Sequence, residues 1–390
     1  MMFGLFLVPL LAGAGVAIDM LRTSSVKAEL REAVDAGLLA AARANILDAS
    51  LTEAEARDIA LRFFEDNTNL TQDVEINQFN LSFDLETDQY VINLQGRMRT
   101  AFLGVVGHDY VPININTEAT ISTPGPVEVA LVLDNTGSMK GKRLKSLKES
   151  ATLLVETLLA DDSGKFKVGL VPFAQYVNVG EDNADAFWLN LPNNTDEEWE
   201  GCVGSRSAPA NVNDGLFDDE PAPAVVDVRC PQAVFPLTAN KDAILPQIKD
   251  MKARGSTYIP GGLTWGRRVL SSQAPFTEGV TDAELDANDG IKAVVLLTDG
   301  ANTRSPSFPL HDIEKTYPAD QLTENLCNDI ENDGYRIYTI AFEIEDQSTE
   351  DLMRVCASDD GAFFDAGNPQ MLQSAFASIA NDLVNIALTQ

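Results

Sequence analysis

Histidine is nearly absent from this 390-residue chain, occurring only at His108 and His311, and neither stands beside a nucleophile motif. Gly-x-Ser-x-Gly, His-Glu-x-x-His and Gly-Lys-Ser/Thr are missing as well, so hydrolases, zinc peptidases and P-loop enzymes lose their sequence support. Both histidines read as surface or packing residues. Positive charge is scarce: 28 Lys plus Arg face 59 Asp plus Glu, a formal charge of -31. That surplus repels phosphate backbones and anionic headgroups, which disfavours nucleic acid and anionic lipid as direct partners and favours solubility. Cysteine occurs four times, at Cys202, Cys230, Cys327 and Cys356, with no Cys-x-x-Cys spacing. An even count without metal-type spacing fits disulfides in an oxidising compartment, with buried free thiols as the alternative. Sequence proximity suggests Cys202 with Cys230 and Cys327 with Cys356.

What is present begins with one long uncharged run, Met1 to Ile18, close to the shortest length that spans a bilayer as a helix. Beyond Asp19 and Arg22, apolar or small residues at Val26, Leu30, Ala33, Val34, Gly37, Leu38 and Ala41 continue the helical pattern. A cleavable signal peptide competes, with Ala12-Gly13-Ala14 as its cleavage site, but the basic n-region is missing, which favours a retained anchor. Phe6-Leu7-Val8-Pro9-Leu10-Leu11, then Val16-Ala17-Ile18-Asp19 and Ala33-Val34-Asp35-Ala36-Gly37-Leu38-Leu39-Ala40-Ala41-Ala42, resemble the N-termini of TadE/TadG-like proteins of Tad pilus systems. The basic segment that usually precedes the span in that family is missing here. So is the Gly and Glu arrangement of prepilin-peptidase substrates, so the resemblance implies an uncleaved anchor.

The second informative stretch is Leu131-Val132-Leu133-Asp134-Asn135-Thr136-Gly137-Ser138-Met139, an apolar strand breaking into a turn with a carboxylate and two hydroxyls. Alternate spacing lets Asp134, Thr136 and Ser138 converge, and hard oxygens suit magnesium better than zinc. Two further segments offer the same chemistry: the loop Gly255-Ser256-Thr257-Tyr258-Ile259-Pro260-Gly261-Gly262, and the apolar strand Val294-Val295-Leu296-Leu297-Thr298-Asp299-Gly300. Each alone can be an ordinary turn whose side chain bonds nearby amides. In order, the three resemble the metal-ion-dependent adhesion site of von Willebrand factor type A domains, with Thr136 where the family pattern has its first serine. The resemblance implies a divalent cation, Mg2+ or else Mn2+ or Ca2+, at Asp134, Thr136, Ser138, Thr257 and Asp299.

Around this site the pattern alternates between strand and helix. Leu144, Leu147, Ala151, Leu154, Val155 and Leu158 form one helical face, and residues 166–173 a short apolar strand. Leu322, Leu326 and Ile330 mark a helix that Gly334 can end before a strand over 336–342. A strand at 362–364 precedes a last helix with Leu372, Phe376, Ile379, Leu383 and Ile386. The expected fold is α/β, a Rossmann-like, mostly parallel sheet with helices on both faces, and ligands in such sheets bind beyond the carboxyl ends of strands. Three regions are expected: residues 1–66 as anchor and helix; 67–123 as a small β-rich region, with alternation at 74–83, 89–99 and 111–121; and 126–390 as the type A domain. Within the last, residues 181–236 read as an acidic insertion stapled by Cys202 and Cys230, without a calcium-loop pattern at Asp196-Glu197-Glu198 or Asp218-Asp219-Glu220.

The expectation is a binding protein and not an enzyme. It is membrane-anchored in a bacterial envelope with its body outside the cytoplasm, and acts in pilus assembly or adhesion. A partner's Asp or Glu would complete the cation's coordination, and pilus-assembly components are candidate partners. Alternatives are a surface adhesin independent of pili and a metal-assisted hydrolase, which would need a base and substrate pocket beside Asp134.

Overall fold

The computed structural model describes the chain except residues 1, 48–50, 69–72, 85–88, 121–124, 161–163, 193–197, 213–216, 218–219 and 390. For residues 2–14, 46–47, 84, 105–106, 120 and 387–389 it describes the backbone alone. Much of the acidic clusters at 196–198 and 218–220 therefore lies outside the described residues, as do the side chains of most of the Met1 to Ile18 run. Among the described residues no helix is long and apolar enough to cross a membrane. The chain divides into two compact units, Met1–Thr123 and Pro124–Gln390.

In the first unit, helix α1 (Met2–Leu47) carries the N-terminal run from Met2 onward, and α2 (Glu53–Asp66) begins at a Thr52–Glu55 capping box that satisfies two amides a helix start leaves open. A Cβ on Gly37 would stand 2.5 Å from the Ala60 carbonyl oxygen. Small residues therefore let the two helix backbones meet closely. Strands β1 (Val74–Asp84), β2 (Gln89–Arg99) and β3 (Tyr110–Thr120) form an antiparallel meander, and β2 alternates buried and exposed side chains. The buried face, Tyr90, Ile92, Leu94 and Met98, joins Leu30, Val34 and Leu38 of α1 and Ala56, Ala60 and Phe64 of α2 in one core. Asp19 is 2% exposed, and its carboxylate accepts the backbone N–H groups of Ala101, Phe102 and Leu103 at 2.7–2.9 Å.

The second unit strings together, in chain order, β4 (Val127–Asp134), α3 (Lys142–Leu158), β5 (Phe166–Phe173), the short strands β6 (Val177–Asn178), β7 (Leu189–Asn190), β8 (Cys202–Val203) and β9 (Ala222–Pro223), then β10 (Phe235–Thr238) and α4 (Lys241–Asp250). There follow α5 (Ile259–Leu270), α6 (Asp282–Ala287), β11 (Ile291–Thr298), α7 (Tyr317–Asn332), β12 (Arg336–Phe342), α8 (Gln347–Val355), β13 (Phe363–Ala366) and α9 (Pro369–Thr389). Strands β13, β12, β11, β4 and β5 lie side by side in parallel. The expectation of a mostly parallel sheet needs correction at one side. Strands β6, β8 and β10 join antiparallel, so the sheet is mixed. The link from β5 (ending at Phe173) to β6 (starting at Val177) is too short for a parallel crossover, which needs a dozen or more residues, so β6 returns antiparallel.

Every β4 side chain is buried, because both faces are covered. Val127, Val129, Leu131 and Leu133 face a core shared with α3, α4 and α9, whereas Ala130 and Val132 face one shared with α5 and α7. Gly334, at φ +83°, ends α7 in the left-handed region. The segment Gly255 to Gly262, read as a loop, is half helix: α5 starts at Ile259 with Pro260 in its first turn. Disulfides join Cys202 to Cys230 and Cys327 to Cys356, with Cα separations of 5.7 and 5.3 Å.

Candidate functional site

Parallel pairing of β4 with β11 sets Leu133 level with Leu297, so the next residues, Asp134 and Thr298, come level at the carboxyl ends of two central strands. The Thr298 hydroxyl donates to Asp134 Oδ2 at 2.7 Å. Asp134 Oδ1 accepts the Thr136 backbone N–H at 2.8 Å, which folds the turn back on its own carboxylate. The turn then extends the network: the Thr136 and Ser138 hydroxyls lie 2.8 Å apart, and Ser138 Oγ donates to Asp299 Oδ1 at 2.6 Å. Residues 161 apart in sequence thereby share one site.

Thr257 arrives by a different route. Gly137 N–H donates to the Gly255 carbonyl at 3.0 Å and Arg254 N–H to the Asn135 carbonyl at 2.7 Å, which ties the loop before α5 to the Asp134 turn. Gly255 sits at φ +81°, where a side chain would strain the backbone. Thr257 is 5% exposed, donates its N–H to Thr303 Oγ1 at 2.8 Å and accepts the N–H groups of Thr303 and Arg304. Among the described residues no hydrogen bond links its hydroxyl to the other four side chains. Asn135, inside the same turn, is fully buried with neither side-chain amide atom hydrogen-bonded among the described residues.

Asp134 is wholly buried, and burial first, then the negative charge of Asp299, push its pKa up to about 6. A carboxylate so placed lacks a counter-charge of its own. Three neighbours that the sequence reading missed complete the surroundings. Thr298 reads in the sequence only as the last residue of an apolar strand. Arg143, in the first turn of α3, donates from Nη1 to Asp299 Oδ2 at 2.9 Å and from Nε to Glu343 Oε2 at 2.7 Å. Glu343 follows β12 directly, the kind of strand-end position the sequence reading looked for at Asp134 and Asp299.

The donors suit a hard divalent cation, since they are two carboxylates and three hydroxyls with no nitrogen or sulfur. Two buried acids at adjacent strand ends, one of them shifted upward by burial and then by the other's charge, are the arrangement that a dication relieves. Asp134, Thr136, Ser138, Thr257 and Asp299 would hold it. Among the described residues no three side chains of His, Cys, Asp and Glu gather as a metal-holding group, so the hydroxyls are essential to any such site.

Residues 1–44 match the family model described as putative Flp pilus-assembly TadE/G-like, so the N-terminal segment is similar to that family. No curated protein matches the chain significantly. Among solved structures, the chain is similar to the pilus adhesin SpaC of Lactobacillus rhamnosus GG at 15% identity and TM-score 0.44, over 80% of this chain and 34% of that one. The chain thus corresponds to about a third of that adhesin's length. It is also similar to the vWF domain of the type V pili tip protein Mfa5 of Porphyromonas gingivalis, at 15% identity and TM-score 0.44 over 68% of this chain and 97% of that one. A von Willebrand factor type A protein of Catenulispora acidiphila matches at 12% identity and TM-score 0.36, over 81% of this chain and 52% of that one.

Proposed function

We propose that this chain is an envelope-anchored protein of pilus assembly or adhesion, whose second unit is a von Willebrand factor type A domain that binds a protein partner through a divalent cation. The observation that carries the reading is the linked set Asp134, Thr136, Ser138 and Asp299 at the carboxyl ends of β4 and β11, where open sheets of this kind take their ligands. The TadE/G-like match at residues 1–44 supports the pilus context. The uncharged run Met1 to Ile18 supports the anchor, with the acidic body outside the cytoplasm. Bound magnesium would supply an electrophilic position that a partner's Asp or Glu completes. The chain's own residues set that position: Asp134 provides charge from inside the sheet, Thr136 and Ser138 provide neutral oxygens, and Asp299 carries the hydrogen bond from Ser138.

Thermal unfolding of the full chain in detergent, with and without magnesium, tests the reading. A ligand that binds only the folded state stabilises by mass action, about 2.7 kcal/mol at a hundredfold excess over Kd. Wild type should show that gain and Asp134→Ala should not, whatever the starting stability of the variant. Thr257→Ala should keep its fold and lose partner binding. Equal magnesium gains in wild type and Asp134→Ala would sink the cation-site reading.

A further inference from the structure

Helix α3 begins just after the site turn, following Gly141 at φ +82°, and this places Arg143 in its first turn beside the strand ends. Its guanidinium joins two carboxylates of unlike surroundings: the Asp299 side chain is 1% exposed, whereas that of Glu343 is 30% exposed. Both Asp299 oxygens are already engaged, Oδ1 by the Ser138 hydroxyl and Oδ2 by Arg143 Nη1. A hydroxyl can turn its proton away and offer a lone pair to a cation. A guanidinium cannot, because it is always charged and only donates.

Any dication using Asp299 therefore meets a resident positive charge on that carboxylate. Glu343 offers a place for that charge to stay. It already accepts Arg143 Nε at 2.7 Å, its backbone N–H is fixed to the Ala366 carbonyl at 3.0 Å, and it holds φ +51°, a conformation that favours glycine. A carboxylate at such a position holds Arg143 at the site when Asp299 is released.

We propose that Arg143 tunes the affinity of this site: its guanidinium holds Asp299 against the incoming dication and yields it while remaining on Glu343, so the Arg143–Glu343 pair sets how tightly a cation binds. This rests on the cation-site reading above. Removing the resident charge should tighten binding, and removing its alternative partner should weaken it.

Titration of the full chain with Mn2+, followed by the paramagnetic resonance of the free ion, reads this directly. Arg143→Gln should bind Mn2+ about tenfold more tightly than wild type, the size expected for one like charge removed from a partly exposed site. Arg143→Lys, which keeps the charge without the fork, should fall between them, and Glu343→Gln should bind more weakly than wild type. If Glu343 acts through Arg143, Glu343→Gln should change nothing further in an Arg143→Gln background. Unchanged or weaker Mn2+ affinity in Arg143→Gln, with wild-type binding still abolished by Asp134→Ala, overturns this inference and leaves the cation site standing. Wild type and Asp134→Ala binding Mn2+ alike overturns both.

Discussion

At the scale of single residues, two buried titratable groups act in opposite directions on acidification. His311 is 2% exposed, with Nδ1 2.6 Å from the Gln175 carbonyl and Nε2 2.7 Å from Ser205 Oγ. The carbonyl requires the proton on Nδ1, so Nε2 accepts from the Ser205 hydroxyl and the ring is neutral. Burial pushes its pKa down to about 4 from 6.5, so its contribution to stability is present above pH 6.5 and lost as pH falls toward 4. Asp134 runs the other way: its raised pKa, about 6 against 3.8, means the cation-free protein gains stability from this group as pH falls through the same window. Each is worth about 3 kcal/mol at full effect. Denaturant titrations without divalent ions should therefore show wild type gaining on Asp134→Asn, and losing on His311→Gln, between pH 6.5 and 4. Magnesium affinity should also weaken below about pH 6 as Asp134 takes a proton. A pH-independent difference between wild type and Asp134→Asn would show that the carboxylate is not perturbed. The sequence could name His311 only as surface or packing, because its partners come from the segment after β5 and from the insertion.

At the scale of elements, α5 shows why glycine misled the sequence reading. Gly261 and Gly262 look like loop residues, since glycine costs a helix about 1 kcal/mol relative to alanine. Packing overrides that preference. A Cβ on Gly262 would lie 2.6 Å from Phe173 Cγ and 3.0 Å from Val132 Cγ1, and one on Gly266 would lie 2.5 Å from Val132 Cγ2. The glycines let α5 lie directly on β4 and β5. Gly262→Ala should therefore destabilise by about 1–2 kcal/mol despite alanine's better propensity, because overpacking costs more than propensity returns. A raised midpoint in chemical denaturation would refute the close-packing account. Helix α8 escaped for the opposite reason: of its side chains only Thr349 and Met353 are buried, too few for a periodic signal. Strands β4, β5 and β12 and helices α3, α7 and α9 were readable because their buried faces repeat at strand or helix spacing.

At the scale of the whole molecule, the disulfides close loops of 28 and 29 residues. Cys202–Cys230 holds the insertion at the antiparallel side of the sheet, and Cys327–Cys356 joins α7 to the end of α8. By the chain-entropy account each restrains the unfolded chain by about 3–4 kcal/mol. All four cysteines are buried, at 5% exposure or less, so reduction needs prior opening. Protein purified under reducing, partly denaturing conditions and refolded with alkylated thiols should melt well below the oxidised protein. Equal melting temperatures would mean that neither bond restrains the fold. The -31 charge spreads over both units and favours an acidic, soluble body.

The amino-acid sequence by itself determined what depends on neighbours along the chain. Apolar residues at strand and helix spacing specified the main elements, and the turns after Leu133 and Thr298 specified which carboxylates stand at strand ends. Tertiary structure decided what depends on neighbours in space. The register of β4 on β11 brought Thr298 to Asp134, the start of α3 brought Arg143 to Asp299 and Glu343, and the return strands β6, β8 and β10 made the sheet mixed. The reason is physical: periodicity and turn chemistry act over a few residues, whereas the site is assembled by strand pairing between segments more than 150 residues apart.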